Sequence, residues 1–213
     1  MKADPIVIFD FGNVIIDLNY ERLFDQMKRT IGEDWNMDNI PTSIKEVMRK
    51  LEVGQINDEG FIWAFQQYNG NVNPKKIVDA WNSLLEGIPP IRMDFVKGMH
   101  ERFRFALLSN INAIHEKYIH KYLLESFDIT DFESTYFESV FYSHHLELRK
   151  PDEAIYKYVT NALEVDPGQI LFIDDLEENI QAANKHGWHG VHHDPNLSIE
   201  NVFEVYLDAY YQS

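Results

Sequence analysis

Two acidic positions far apart in the chain share one setting. Asp10 closes the apolar run Ile6-Val7-Ile8-Phe9, and Asp174–Asp175 close Ile170-Leu171-Phe172-Ile173. A third run, Phe105-Ala106-Leu107-Leu108, ends at Ser109–Asn110, and a fourth, Val140-Phe141-Tyr142, leads into a polar stretch from Ser143 to Lys150. Carboxylates brought together hold a divalent cation, while a lysine and hydroxyl or amide donors hold an anion. After any single strand, Asp or Ser is ordinary turn chemistry. Four such ends in one chain point to a shared site, because ligands of a parallel sheet collect outside the carboxyl ends of its strands.

Runs that are apolar at every position fit strands covered on both faces. Gly190-Val191-His192 is a weaker fifth candidate. Helical patterns separate them. Asp152 can cap a helix carrying Ile155, Tyr156, Val159 and Leu163, Asn179 to His186 continue another that Gly187 stops, and Ile199, Val202, Phe203, Tyr206, Leu207 and Tyr210 form a stripe behind Ser198. Strands alternating with helices predict parallel pairing and a three-layer α/β fold with a Rossmann-like core. From about Tyr20 to Glu86 the pattern is helical throughout, with stripes at Leu23, Met27 and Ile31; Ile44, Val47, Met48 and Leu51; Phe61, Ile62, Phe65 and Tyr68; and Ile77, Val78, Trp81 and Leu84–Leu85. Asn57, Asn73 and Gly87 lie at expected boundaries. Residues 19–87 are therefore read as a helical insertion, a cap, in a core made of residues 1–18 and 88–213. The polar, poorly periodic stretch from Asp128 to Tyr136 is read as a surface excursion.

Composition narrows the partners. The 213 residues are 45% hydrophobic and 14% aromatic, enough for a substantial folded core. Nineteen Lys and Arg against 35 Asp and Glu give a formal charge of −16, which argues against nucleic acid as a partner. An acidic protein still binds phosphate where a divalent cation neutralises its carboxylates locally. Cysteine is absent, which excludes disulfides, thiolate metal sites and Cys nucleophiles and fits a cytoplasmic location. No apolar run is long enough to span a bilayer, so no membrane association is expected, and the short run after Met1-Lys2-Ala3-Asp4 reads as no signal peptide. Nothing in the sequence speaks to oligomeric state.

The strand ends, taken in chain order, resemble the four motifs of the haloacid dehalogenase (HAD) superfamily phosphatases. I-V-I-F-D-F-G-N-V is similar to motif I, A-L-L-S-N to motif II, R-K-P-D-E-A-I-Y to motif III and F-I-D-D-L-E-E-N to motif IV. The resemblance spans residues 6 to about 190. F-D-x-G-N-V and R-K-P-[DE]-x-x-I-Y are similar to the subgroup that includes glucose-1-phosphate phosphatases. The resemblance implies hydrolysis of a small phosphorylated metabolite, a sugar phosphate being one candidate, with Asp10 as covalent nucleophile through an aspartyl-phosphate. It implies Mg²⁺ on Asp10, Asp175 and the Gly12 carbonyl, with Asp174 as a further ligand or an orienting group. Lys150 would supply a fixed positive charge, and the Ser109 hydroxyl and Asn110 backbone N–H would donate to phosphate oxygens. Asn179 matches a position that supports the acidic pair. The physics agrees: phosphoryl transfer needs an in-line nucleophile and neutralised equatorial oxygens, and two carboxylates cannot share a site with a phosphate dianion without a cation between them.

The sequence departs from the pattern in two places. Gly12 stands where these phosphatases carry a second Asp, the general acid–base, whose loss costs about 10²–10⁴-fold in rate. Asp17 can replace it if it reaches in from the loop, or a good leaving group such as an anomeric sugar phosphate can dispense with it. Glu147 stands where relatives often carry Gly before the motif III lysine, and it is read as extra negative charge near the site. A metal-independent 2-haloacid dehalogenase and a non-catalytic phospho-ligand-binding HAD protein are the competing readings; Asp174–Asp175 speaks against the first. His144–His145 and His189, His192 and His193 match no metal-ligand spacing and are read as surface or packing residues.

Overall fold

Burial on both faces is what makes the short apolar runs strands: every residue of Ile6–Phe9 and of Ile170–Asp174 is buried. The computed structural model describes residues 4–70 and 72–213. In chain order the elements are β1 (Ile6–Phe9), β2 (Asp17–Leu18), α1 (Tyr20–Ile31), α2 (Thr42–Glu52), α3 (Asp58–Gln66), α4 (Pro74–Asn82), β3 (Leu85–Gly87), α5 (Pro90–Met99) and β4 (Arg104–Ser109). There follow α6 (Ala113–Phe127), α7 (Phe132–Tyr136), β5 (Ser139–Tyr142), α8 (Ser143–Leu146), α9 (Glu153–Leu163), β6 (Ile170–Asp174), α10 (Glu177–His186), β7 (His189–His192) and α11 (Ile199–Gln212).

The described residues form a parallel five-stranded sheet in the order β5-β4-β1-β6-β7. Helices cover both faces. Val7 and Phe9 of β1 point into a cluster with Met93 and Val96 of α5, Ile119 of α6, and Phe203 and Leu207 of α11. Ile6 and Ile8 point the other way, against Ile155, Tyr156 and Val159 of α9 and Ile180 of α10. The period-2 alternation of β1 thus feeds two apolar layers, which is the three-layer α/β arrangement. The chain steps from β1 to β4 and β5 on one side, then crosses to β6 and β7 on the other. Asp10 sits at that switch point, where a crevice opens in folds of this kind.

Helices α1 to α4 build a separate apolar cluster around Leu23, Met27, Ile44, Phe61, Phe65, Ile77 and Trp81. Asn19, Asn57 and Asn73 each cap a helix of this segment by accepting a backbone N–H. Two details differ from the sequence reading. Leu85 does not extend the last helical stripe: the helix ends at Asn82, and Leu85 opens β3, which pairs antiparallel with β2. A two-strand ribbon of so few residues has no periodicity to read. Residues 128–136 are not merely a surface excursion, because they contain α7 and bury Phe132 against Phe11, with ring centroids 6.1 Å apart. A five-residue helix shows barely one turn of pattern. Among the described residues, no helix is long and apolar enough to cross a membrane.

Candidate active site

The carboxyl ends of β1, β4 and β6 bring the sequence-predicted residues together. One carboxylate oxygen from each of Asp10, Asp174 and Asp175 lies within 4.8 Å of the others. Lys150 reaches between two of them, its Nζ 2.9 Å from Asp10 Oδ1 and 2.6 Å from Asp174 Oδ2, with its side chain 1% exposed. Asp10 Oδ1 also accepts the Phe11 N–H at 2.6 Å. Its strand is pinned by the Asp10 N–H, which donates to the Ile173 carbonyl of β6 at 2.8 Å.

The acidic pair divides its labour. Asp174 is fully buried, and its oxygens accept from Lys150, from the Leu176 N–H at 2.8 Å and from Asn179 Nδ2 at 2.9 and 3.0 Å. So many donors suit the orienting role better than that of a metal ligand. Asp175 is half-buried and faces the cleft, with Oδ2 held by Asn13 Nδ2 at 2.8 Å. Asn13 stands at φ 54°, a left-handed conformation that Asn tolerates, and its Oδ1 accepts the Leu18 N–H at 3.2 Å. No function was read from Asn13 in the sequence, since a single Asn in a turn carries no pattern.

Electrostatics follow from three carboxylates and one ammonium in a largely buried crevice. Burial raises the Asp10 carboxyl from 3.8 to about 7; Lys150 pulls it back, and Asp174 and Asp175 push it further. Asp175 is raised too, again by burial first, against the pull of its Asn13 hydrogen bond. Burial works against the Lys150 charge, but Asp10 and Asp174 outweigh it and hold its pKa above the ordinary lysine value. A divalent ion held here would balance this excess of negative charge. Asp10 and Asp175 offer free carboxylate capacity toward the cleft, and Gly12 lies on the same wall.

Ser109 and Asn110 line the cleft opposite. The Asn110 side chain has a task the sequence did not disclose: Nδ2 donates to the Lys150 carbonyl at 2.9 Å and Oδ1 accepts the Lys150 N–H at 2.9 Å. This reciprocal pair fixes the motif III backbone against the end of β4.

Both departures now have a structural reading. Asp17 does not reach in: its Oδ1 accepts from Arg92 Nη1 at 2.6 Å, and Arg92, buried on α5, also donates to the Ile15 carbonyl at 3.0 Å. Asp17 serves to anchor the loop after β1. At Gly12, an added Cβ would lie 2.8 Å from Leu18 Cδ1, so Leu18 occupies the space that a side chain at 12 needs. Glu147 adds no charge to the cleft either. It is exposed at φ 56°, where the backbone takes the left-handed turn that glycine adopts without strain.

The remaining wall comes from the helical segment, giving a cleft of ≈ 360 Å³. Tyr20, Glu52, Asn112, His115 and Arg149 are among its lining residues. Glu52 pairs with Arg149 Nε at 2.9 Å, and its backbone carbonyl accepts from Ser143 Oγ at 2.5 Å, linking α2 to the sheet end. Burial, opposed by Arg149 and Lys150, raises the Glu52 carboxyl. His115 stacks on Trp81 of α4 at 5.1 Å, with Nε2 donating to the Trp81 carbonyl at 3.2 Å. Burial, against that one hydrogen bond, lowers its pKa to about 4, so this imidazole is neutral and structural. A larger depression of ≈ 670 Å³ between α1 and α4 touches none of the site carboxylates.

The sequence profile of the haloacid dehalogenase-like hydrolases matches residues 5–187. The chain belongs to this family. This HAD-like hydrolase is 22% identical over 185 residues to a D-ribitol-5-phosphate phosphatase of Bacteroides thetaiotaomicron, covering 85% of this chain and 88% of the relative. The crystal structure of a HAD family enzyme from the same species superposes with a TM-score of 0.84 at 28% identity, over 95% of this chain and 99% of that one. A second structure of that enzyme, in complex with magnesium and inorganic phosphate, gives 0.81 at 28% identity, over 94% and 100%. A 2-haloacid dehalogenase from Pseudomonas syringae pv. tomato DC3000 shares the fold alone, at 12% identity and a TM-score of 0.60 over 98% and 100%.

Proposed function

We propose that this HAD-like hydrolase is a Mg²⁺-dependent phosphatase of a small, hydroxylated phosphate ester, acting through an aspartyl-phosphate on Asp10. The observation that carries the reading is the convergence of Asp10, Asp174 and Asp175 with Lys150 held between two of them. Asp10, Asp175 and the Gly12 carbonyl would hold the metal, with Asp174 orienting Lys150. When bound, Mg²⁺ supplies neutralising charge to the carboxylates and to the phosphate.

The chain's own residues do the rest. Asp10 attacks phosphorus in line, the ester P–O bond breaks, and the departing alkoxide takes up a proton as the aspartyl-phosphate forms. Water then cleaves that acyl phosphate and regenerates Asp10. Lys150 keeps Asp10 ionised and aimed, while Ser109 and the Asn110 N–H donate to phosphate oxygens. With Gly12 in place of an acid and Asp17 engaged by Arg92, the proton for the leaving group comes from elsewhere; Glu52, which lines the cleft and whose carboxyl burial raises against the pull of Arg149 and Lys150, is the residue we assign to supply it. The polar lining from Tyr20, Glu52, Asn112 and Arg149 suits a sugar or alditol phosphate, in keeping with the activity of the ribitol-phosphate phosphatase relative. A cysteine-free chain fits work in the cytoplasm.

The test is turnover of an aryl phosphate and of a panel of sugar and alditol phosphates with Mg²⁺. Activity is expected to stop with EDTA and with Asp10→Asn. Full activity in Asp10→Asn refutes the nucleophile assignment; halide release unaffected by EDTA in place of phosphate release restores the dehalogenase reading.

A further inference from the structure

Away from the cleft carboxylates, two histidines and a glutamate converge. Glu116 Oε2 on the first turn of α6 lies 3.0 Å from His144 Nε2 and 3.4 Å from His145 Nε2 on α8, and the three ligand atoms all fall within 4.8 Å of one another. Donors bonded to one Zn²⁺ at about 2.0–2.2 Å in tetrahedral array are themselves about 3.3–3.6 Å apart, so this spacing is close to that of a metal site.

The tautomer of His144 sharpens the point. Its Nδ1 faces the Ile111 carbonyl at 2.8 Å, and a carbonyl only accepts, so Nδ1 carries the hydrogen. In the neutral ring, Nε2 is then a lone pair aimed at a carboxylate oxygen. Two acceptors at that distance need a positive charge between them: a proton or a metal. An imidazole whose other nitrogen donates to a backbone carbonyl is also how proteins orient metal-ligating histidines. Tyr142 stacks on the His144 ring, 6.1 Å away and 15° from parallel, which holds the ring plane. The approach is open, since the His145 side chain is 56% exposed.

We propose that Glu116, His144 and His145 form a second metal site, for a first-row transition dication such as Zn²⁺, with an open fourth position for water. Imidazole nitrogens select such an ion, whereas the all-oxygen cluster at Asp10 suits Mg²⁺. The inference stands independently of the phosphatase reading. The bound ion clamps α8 to α6 beside Ile111, whose carbonyl accepts from His144 Nδ1.

Co²⁺ added to the full-length protein in saturating Mg²⁺ tests the site, because tetrahedral Co²⁺ with nitrogen donors absorbs visible light far more strongly than octahedral Co²⁺ on oxygen. One equivalent of intense d–d absorption is expected, displaced by Zn²⁺. Glu116→Gln and His145→Ala should each weaken it by more than about 100-fold, beyond what loss of an outer partner costs, while Mg²⁺-supported turnover of an aryl phosphate is unchanged. His145 is exposed, so its variant keeps the fold, and circular dichroism verifies this. Asp10→Asn should leave the absorption intact. Only weak octahedral bands, equal binding by both ligand variants, or loss of the signal in Asp10→Asn overturns the proposal, and the His144–Glu116 contact is then an imidazolium ion pair.

Discussion

Asp10 should make the metal-free protein less stable as the pH rises, and Asp10→Asn should remove that dependence. Burial lifts the Asp10 carboxyl from 3.8 to about 7, with Asp174 and Asp175 adding to the rise and Lys150 opposing it. Below the lower value both the folded and unfolded chains hold the proton. Between the two values only the folded chain holds it, so each pH unit costs about 1.4 kcal/mol of stability, and above the upper value the loss levels off. From pH 5 to pH 8 the expected loss is about 3 kcal/mol, equivalent to roughly 6–12 °C in Tm for a chain of this size. Asn carries no proton to lose. Scanning fluorimetry in EDTA at pH 5, 6, 7 and 8 on both proteins gives the result as a difference, which cancels every titration the two share. The variant should gain on the wild type by about 3 kcal/mol across the window. With Mg²⁺ at about 100 times its Kd, the wild type at pH 8 should recover about 2.7 kcal/mol, and the variant much less. Parallel pH curves for the two proteins would show that Asp10 is not electrostatically strained, and the argument for a missing dication would go with it.

Three further outcomes follow from the geometry. Asn13→Ala removes a side-chain donor to Asp175, and Mg²⁺ affinity measured by calorimetry should fall about 10–100-fold, with a lower melting temperature in EDTA because the left-handed backbone and the Leu18 hydrogen bond lose their Asn. Lys150→Met leaves Asp10 and Asp174 buried without their cation and should cost about 3–5 kcal/mol at pH 8, less at pH 5, by chemical denaturation. Glu52→Gln should lower kcat on alkyl phosphates about 10²-fold but spare an aryl ester with an acidic leaving group; equal losses on both would assign Glu52 to packing against Arg149.

What the sequence disclosed and what it hid divide along physical lines. Ile6–Phe9, Phe105–Leu108 and Ile170–Ile173 were legible because a strand buried on both faces must be apolar at each position, and that leaves the first polar residue at its end exposed to view. Asp10, Ser109 and Asp174–Asp175 stood out in this way, whereas Lys150, beyond β5 and α8, stood out through its similarity to motif III. Contacts made by one residue with a distant partner leave no such trace. Arg92 claims Asp17 from 75 positions away, and Asn110 clasps Lys150 from 40. The Glu147 position looks anomalous as a charge but ordinary as a backbone, because its φ of 56° is invisible to composition. His144 and His145 match no metal spacing along the chain, and their third partner, Glu116, is 28 residues from His144.

The loops at the sheet end are each stitched to another loop rather than left to the ligand to organise. Asp10 is tied to β6 through the Ile173 carbonyl, Asp175 to the turn after β1 through Asn13, Lys150 to β4 through Asn110, and Asp174 to both Lys150 and Asn179. Such cross-bracing holds the carboxylates close together before any cation arrives. A flexible site would let like charges move apart and relax their pKa values toward ordinary ones. A braced site cannot, and the Asp10 carboxyl, raised first by its burial, is pushed further by Asp174 and Asp175 against the pull of Lys150. Preorganisation of this kind puts the electrostatic cost into the folding of the metal-free protein, so that binding a dication and an in-line phosphate relieves strain without first having to assemble the site.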